Sequence, residues 1–151
     1  MTRAKDTKAI KIMNMKEDEN PPAASRIIGI GIDLVENGRI AASIQKLGDR
    51  FLERVFTANE IGYCKQMRSP APHFAVRFAA KEAVSKAFGC GIGVQLSWLD
   101  IEVTRSESGA PTMVLHGRGR ELAAKRGVEQ ILLSLSHTEY YSTANVLLAG
   151  R

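Results

Sequence analysis

Two stretches of the sequence carry charged side chains whose types suit the binding of a phosphate group together with a divalent cation. The first is RFAAKEAVSK, residues 77–86, which has four charged residues on a predicted helix. The second is IIGIGID, residues 27–33, a predicted strand that ends in Asp33. If the helix packs closely on the strand, Asp33 lies near Glu82, and two carboxylates become available for a hard cation such as Mg²⁺. Three basic residues of the helix would then face the phosphates: Arg77, Lys81 and Lys86.

The same helix has a simpler interpretation, in which its polar half is only an exposed surface. At about 100° per residue, the charged residues and Ser85 fall on one half of the helix and five small residues on the other. These small residues are Ala79, Ala80, Ala83, Val84 and Ala87. In this interpretation Glu82 and Lys86 form an ordinary i,i+4 ion pair worth about 0.3 kcal/mol. Both interpretations predict that the small half packs against the face of the strand that carries Gly29 and Gly31.

Other candidate residues also have structural alternatives. Asp33 is as well suited to capping a helix or a turn as to binding a metal. A single histidine at a strand end, such as His137, is more often structural than catalytic. The pair Gly29 and Gly31 is not a dinucleotide-binding fingerprint, because position 34 is leucine where a third glycine is required.

The elements that must position these residues follow from hydrophobic spacing and turn signals. Thr57 and Glu60 have the spacing of a capping box at a helix start, while Pro72 and Gly89 suit the first turn and the end of the helix that carries residues 77–86. Further helices are predicted over 39–47 and 118–126. Strands are predicted over 27–33, 98–105, 111–116, 131–137 and 141–149. This order indicates an α+β fold, with an antiparallel sheet packed on a long central helix.

The composition indicates one domain with anionic partners. A chain of 151 residues has room for one core, and the predicted organisation is a polar, mobile extension over residues 1–25 and a folded domain over residues 26–151. The net charge is +5, which favours phosphates, nucleic acid or an acidic protein. Two cysteines outside any CxxC pattern disfavour a thiolate metal site or a disulfide framework. The absence of a signal peptide pattern and of a long apolar run predicts a soluble, cytoplasmic protein without membrane contact.

Three stretches resemble the signatures of the holo-acyl carrier protein synthase family, the small bacterial 4′-phosphopantetheinyl transferases of fatty acid biosynthesis. They are GIGIDLVENGRI (29–40), FAVRFAAKEAVSKAFGCGIGVQLSWLDIEV (74–103) and SLSHT (134–138). The resemblance extends from about residue 27 to residue 149. It implies transfer of the phosphopantetheine arm of coenzyme A to a serine of apo-acyl carrier protein, with release of adenosine 3′,5′-bisphosphate.

The resemblance also implies roles for individual residues. Asp33 and Glu82 are expected to bind Mg²⁺ and, with Lys86, to form the catalytic group. The residues expected to contact coenzyme A phosphates are Arg77, Lys86, His137 and, as a weaker candidate, Lys81. Arg39, Lys46 and Arg50 are expected to dock the acidic carrier protein. The family further implies a homotrimer with active sites between subunits. Gly38 departs from the family pattern, in which a larger residue precedes the helix, and residues 1–25 have no counterpart in a minimal member.

An alternative function is a non-catalytic basic module that binds nucleotide or nucleic acid. The net charge is compatible with it, but the chain has one tryptophan and few aromatic residues. No motif of a nucleic-acid-binding fold is present. The sequence therefore favours the transferase and predicts no nucleic-acid partner.

Overall fold

The structure, a computed structural model, describes residues 26–151. The extension predicted over residues 1–25 lies outside the described residues. The helices are α1 (Asn37–Leu47), α2 (Asp49–Val55), α3 (Ala58–Lys65), α4 (Pro70–Phe88) and α5 (Gly117–Lys125). The strands are β1 (Arg26–Glu36), β2 (Ile101–Arg105), β3 (Pro111–Leu115), β4 (Val128–His137) and β5 (Tyr141–Gly150). None of the helices in residues 26–151 is long and apolar enough to cross a membrane.

The strands form two antiparallel sheets. The larger sheet has the order β1-β5-β4, so that the first strand of the described chain pairs with the last. The smaller sheet is the β2-β3 hairpin. The predicted α+β class with antiparallel pairing is therefore confirmed.

Helix α4 lies across the inner face of the larger sheet and contacts β1 through glycine. A Cβ atom added to Gly31 would clash with the Ala83 carbonyl oxygen and would lie 2.7 Å from the Ala87 amide nitrogen. A Cβ atom on Gly29 would clash with the Ala87 carbonyl oxygen. The two backbones approach so closely only because these positions lack a side chain, which is the packing that the alanine-rich half of the helix predicts.

Some boundaries differ from the predictions made from sequence. Helix α2 was not predicted, because its seven residues show too short an apolar pattern to stand out. Trp98 belongs to a single 3₁₀ turn, Trp98–Asp100, and strand β2 begins only at Ile101. The capping box of Thr57 and Glu60 is present at the start of α3, and Gly89 ends α4 in the left-handed conformation with φ 71°.

Candidate active site

Asp33 and Glu82 line one surface cavity of about 350 Å³, which we call the carboxylate cavity. Asp33 is on the inner face of β1, and Glu82 lies on α4, so the close packing at Gly29 and Gly31 brings the two acids together. The other lining residues are Leu34, Val35, Arg39, Ile40, Ser43, Phe51 and Phe78. The predicted juxtaposition of the two carboxylates is therefore present.

The two carboxylates of the carboxylate cavity differ in their surroundings. Burial raises the pKa of Glu82, and the negative charge of Asp33 raises it further, while Lys86 opposes both effects. Lys86 Nζ lies 2.7 Å from Asp33 Oδ1 and also donates to the Ile32 carbonyl oxygen at 3.1 Å. The alternative i,i+4 pair between Glu82 and Lys86 is not formed. Lys86 thus neutralises Asp33, while Glu82 has no cationic partner among residues 26–151.

Arg77 and His137 line a second cavity of about 200 Å³, which we call the basic cavity. His73 and Arg105 line it as well, so four basic side chains from α4, β2 and β4 converge there. The remaining lining residues are uncharged: Val76, Val103, Thr104, Pro111 and Leu135. A cavity of this composition is suited to an anion.

Arg77 is held in place by α3 and by its own helix. Its guanidinium lies 4.3 Å from the centroid of the Tyr63 ring, and one Nη atom donates to the His73 carbonyl oxygen at 3.1 Å. Only 4% of the residue is exposed. Its Nε has no acceptor among the described residues, which leaves a donor for a ligand or a water molecule.

His137 is positioned by the turn between β4 and β5. The buried Asn37 side chain donates to the carbonyl oxygens of Thr138 and Glu139, both at 3.0 Å, and accepts from the Ser142 hydroxyl at 2.6 Å. These bonds tie the turn to the start of α1. The His137 ring lies against that of His73 at a centroid distance of 5.7 Å.

The structure does not support the predicted contact of Lys81 with coenzyme A. Neither Lys81 nor Glu60 has any exposed side-chain surface, and Lys81 Nζ lies 2.7 Å from Glu60 Oε2. The ammonium group also donates to the carbonyl oxygens of Val55 at 2.8 Å and Trp98 at 2.9 Å. All three protons therefore have acceptors inside the protein. The polar half of α4 is not an exposed face either, since Arg77, Lys81 and Ser85 are all buried.

The two cavities lie on different sides of α4. Arg77 and Glu82 are five residues apart, which places their side chains about 140° apart around a helix of 3.6 residues per turn. No residue lines both cavities. One chain therefore presents the carboxylates and the basic cluster in two separate places.

The residues predicted to dock a partner lie on the surface, and one of them belongs to the carboxylate cavity. Arg39, Lys46 and Arg50 are all exposed, and Arg39 lines the cavity itself. Sequence reasoning did not identify His73 and Arg105. His73 precedes Arg77 by four residues, so helical spacing contained a signal for it, whereas Arg105 reaches the cavity from another sheet.

The sequence and structural relatives define a class and then a family. Residues 29–144 match the model of the 4′-phosphopantetheinyl transferase superfamily. The holo-[acyl-carrier-protein] synthase of Koribacter versatilis is 50% identical over 122 residues, covering 81% of this chain and 98% of that protein. The synthase of Moorella thermoacetica is 48% identical over 118 residues, covering 78% and 91%. The chain belongs to the holo-[acyl-carrier-protein] synthase family and is a transferase.

Solved structures of the family agree with this fold. The Helicobacter pylori synthase in complex with coenzyme A superposes with a TM-score of 0.71 at 35% identity, covering 79% of this chain and 98% of that one. The Neisseria meningitidis synthase gives a TM-score of 0.77 at 32% identity, covering 82% and 98%. A Bacillus anthracis synthase in complex with coenzyme A gives 0.70 at 37% identity, covering 85% and 100%.

Proposed function

We propose that the protein transfers phosphopantetheine from coenzyme A to a serine of apo-acyl carrier protein, with Mg²⁺, and releases adenosine 3′,5′-bisphosphate. The observation that carries the proposal is the pair of cavities, one with two carboxylates for a cation and one with four basic groups for phosphate. The family membership supports the reaction, and two relatives of known structure are complexes with coenzyme A. A cytoplasmic location is part of the proposal.

The residues of the carboxylate cavity fit Mg²⁺. Burial raises the pKa of Glu82 and the charge of Asp33 raises it further, and a dication offsets both effects. Mg²⁺ typically takes one or two protein carboxylates and completes its shell with water and substrate phosphates. Asp33 and Glu82, which line the same cavity, are the proposed ligands; among residues 26–151, no cluster of three or more His, Cys, Asp or Glu side chains is placed to hold a metal. Bound Mg²⁺ would neutralise phosphate charge and orient the pyrophosphate.

The side chains of the protein have separable roles in this reaction. Lys86 is half exposed on a flexible stem, so its ammonium group can leave Asp33 and follow the charge that develops on the leaving phosphate. Arg77 and His137 hold a phosphate of coenzyme A in the basic cavity. The proton of the attacking serine passes to Glu82 or to a neighbouring water. Positioning and charge neutralisation account for most of catalysis in phosphoryl transfer.

The separation of the cavities supports an active site shared between subunits. One subunit would supply Asp33 and Glu82, and its neighbour would supply Arg77 and His137. The outer face of β1 also carries a row of exposed apolar side chains, Ile30, Ile32 and Leu34, each more than 60% exposed. Such a face is suited to burial against another subunit. The number of subunits in the proposed homotrimer rests on the family resemblance.

Arg39, Lys46 and Arg50 are the proposed docking residues for the carrier protein. Their exposure and their positive charge suit an acidic partner. Because Arg39 also lines the carboxylate cavity, a partner bound there would present its serine close to Asp33 and Glu82.

The proposal is tested by incubating the protein with coenzyme A and an apo-acyl carrier protein, and measuring the carrier's mass. We expect the carrier to gain one phosphopantetheine group with Mg²⁺ and none after chelation. Asp33→Asn and Glu82→Gln should each slow loading at least about a hundredfold. Asp49→Asn is the matched control, because Asp49 forms only an exposed ion pair with Lys65. Loading that is unaffected by chelation, or variants with normal rates, would contradict the proposal.

A further inference from the structure

The basic cavity contains more positive charge than the residues around it balance. Within residues 26–151, neither Arg77 nor Arg105 forms an ion pair with a carboxylate. No acidic residue lines the cavity. Arg77 is buried with one donor unused. A buried cation without a counterion is costly, so the cavity is built for an anion of more than one charge.

His73 is surrounded by basic groups and one phenol. Its ring faces His137 from β4 at 5.7 Å and Tyr63 from α3 at 6.2 Å, while Arg77 on α4 and Arg105 on β2 line the same cavity. Burial lowers the pKa of His73, and His137, Arg77 and Arg105 lower it further, in that order. His73 is therefore neutral near pH 7 in the free protein, since even an unperturbed histidine has a pKa of about 6.5.

Arg105 is held beside the cavity but keeps donors for a ligand. Its guanidinium lies 5.1 Å from the centroid of the Tyr63 ring, the ring that Arg77 also contacts at 4.3 Å. Its one hydrogen bond within the described chain is long, 3.4 Å to the Gly109 carbonyl oxygen. Arg105 is exposed, so a guanidinium with up to five donors can turn toward an anion in the cavity.

We propose that His73 and Arg105 determine specificity for a phosphate monoester dianion in the basic cavity, and that His73 gains a proton when this dianion binds. The inference rests on the proposed function, in which the ligand is coenzyme A. Coenzyme A carries one phosphomonoester, at the 3′ position, and one pyrophosphate, whose two phosphate groups carry one charge each. A monoester carries nearly two negative charges at neutral pH. This charge matches a site of two guanidiniums and two imidazoles better than the single charge on either phosphate group of the pyrophosphate does.

The direction of the pH dependence follows from the charges. The dianion stabilises the protonated form of His73, so its pKa is higher in the complex than in the free protein. Binding is then linked to proton uptake, and affinity for coenzyme A increases as the pH falls from about 8 toward 6. Below about pH 6 the phosphate itself begins to be protonated, and the affinity for coenzyme A no longer increases.

Calorimetry in two buffers of different ionisation enthalpy measures the protons taken up when coenzyme A binds. We expect uptake of up to about one proton by the wild-type protein near pH 7, and a clear reduction in His73→Gln. His116→Gln is the matched control, because His116 lies outside the cavity and bonds Glu102 at 3.0 Å; its uptake should equal that of the wild type. Equal uptake by His73→Gln and the wild type would overturn the proposal.

A second measurement identifies the phosphate that the cavity holds. Arg105→Gln should raise the KM for coenzyme A about tenfold, the loss of one charged hydrogen bond, with kcat little changed. The same variant should leave the KM for dephospho-coenzyme A, which lacks the 3′-phosphate, at the wild-type value. Arg120→Gln, an exposed arginine on α5, is the control for a general effect of charge.

The outcomes separate this inference from the proposed function. An equal rise in KM for both substrates would place a pyrophosphate group at Arg105 and overturn the assignment. If the wild-type protein loads a carrier but neither variant differs from its control, only the role of His73 and Arg105 is wrong. If the wild-type protein neither binds coenzyme A nor loads a carrier, the proposed function itself fails.

Discussion

Lys81 and Glu60 form an ion pair in the interior of the protein, and the pair is fully hydrogen-bonded. Besides Lys81, Glu60 accepts from the Val103 amide at 2.8 Å and from the Thr57 amide at 2.9 Å. Burial lowers the pKa of Lys81, and the Glu60 carboxylate opposes this shift. The pair joins the C-terminal end of α2, the first turn of α3, helix α4 and strand β2, and we infer that its role is structural.

Replacing Lys81 with methionine should therefore destabilise the protein. Removal of one partner from a buried pair leaves an uncompensated charge and costs about 3–5 kcal/mol, a large part of the stability of a domain this size. Urea unfolding can be followed by the fluorescence of Trp98, the only tryptophan of the chain. Lys65→Met is the control, since its pair with Asp49 is exposed and worth less than about 1 kcal/mol.

The opposite result would restore the role that the sequence suggested for Lys81. A Lys81→Met variant with wild-type stability but weakened coenzyme A binding would make Lys81 a ligand contact. The sequence could not separate these roles, because a stripe of Arg77, Lys81 and Ser85 at helical spacing looks exposed until the partner of each residue is known. Glu60, 21 positions earlier in the chain, was recognised only as a capping residue.

At the scale of elements, the contact between β1 and α4 sets the geometry of the carboxylate cavity. Gly31→Ala should cost about 3 kcal/mol, because the added methyl group meets backbone atoms of Ala83 and Ala87 that cannot rotate away. Gly38→Ala is the matched control. A Cβ atom there meets nothing within 4 Å, and alanine in a helix should add up to about 1 kcal/mol. Thermal unfolding of both variants measures the difference in their stability. Equal stability of Gly31→Ala and the wild type would show that β1 and α4 do not need to approach this closely.

Local patterns predicted most elements of the fold and the pair of carboxylates, but not the basic cavity. Three features depend only on residues close together in the sequence, and the sequence predicted all three. They are the alternation of residues 27–33, the small half of α4 and the capping box of α3. The basic cavity depends on a hairpin and a second sheet that meet α4 in space. For that reason His137 was identified as a phosphate contact only by resemblance, while His73 and Arg105 emerged only from the structure. Arg77 was identified from the charges on its own helix.

At the scale of the whole molecule, the position of the two cavities on α4 supports the proposal that subunits share the active site. In the proposed assembly each chain contributes to two active sites. Its carboxylate cavity completes the site shared with one neighbour, and its basic cavity completes the site shared with the other neighbour. The exposed apolar row of Ile30, Ile32 and Leu34 on the outer face of β1 gives the chain a surface with which to associate. A cyclic assembly of identical chains then repeats the same site at every interface.

Mixed assemblies test this arrangement directly. One chain carries Asp33→Asn with Glu82→Gln, the other carries Arg77→Gln with His137→Gln, and each has a different affinity tag. Assemblies purified through both tags contain both chains. In any mixed cyclic trimer, one interface of the three joins an intact carboxylate cavity to an intact basic cavity, so about a third of the wild-type activity should return. Either variant alone should be inactive.

A second pair of chains controls for recovery by any other route. Asp33→Asn mixed with Glu82→Gln should recover nothing, because both acids must come from the same subunit to share one cavity. Recovery in this control would mean that the two acids of one site can come from different subunits. No recovery in the first mixture would mean that the carboxylates and the basic cluster do not meet across an interface. The activity would then have to arise within a single chain, which could join its two cavities only if α4 or the elements around it rearranged, because no described residue lines both.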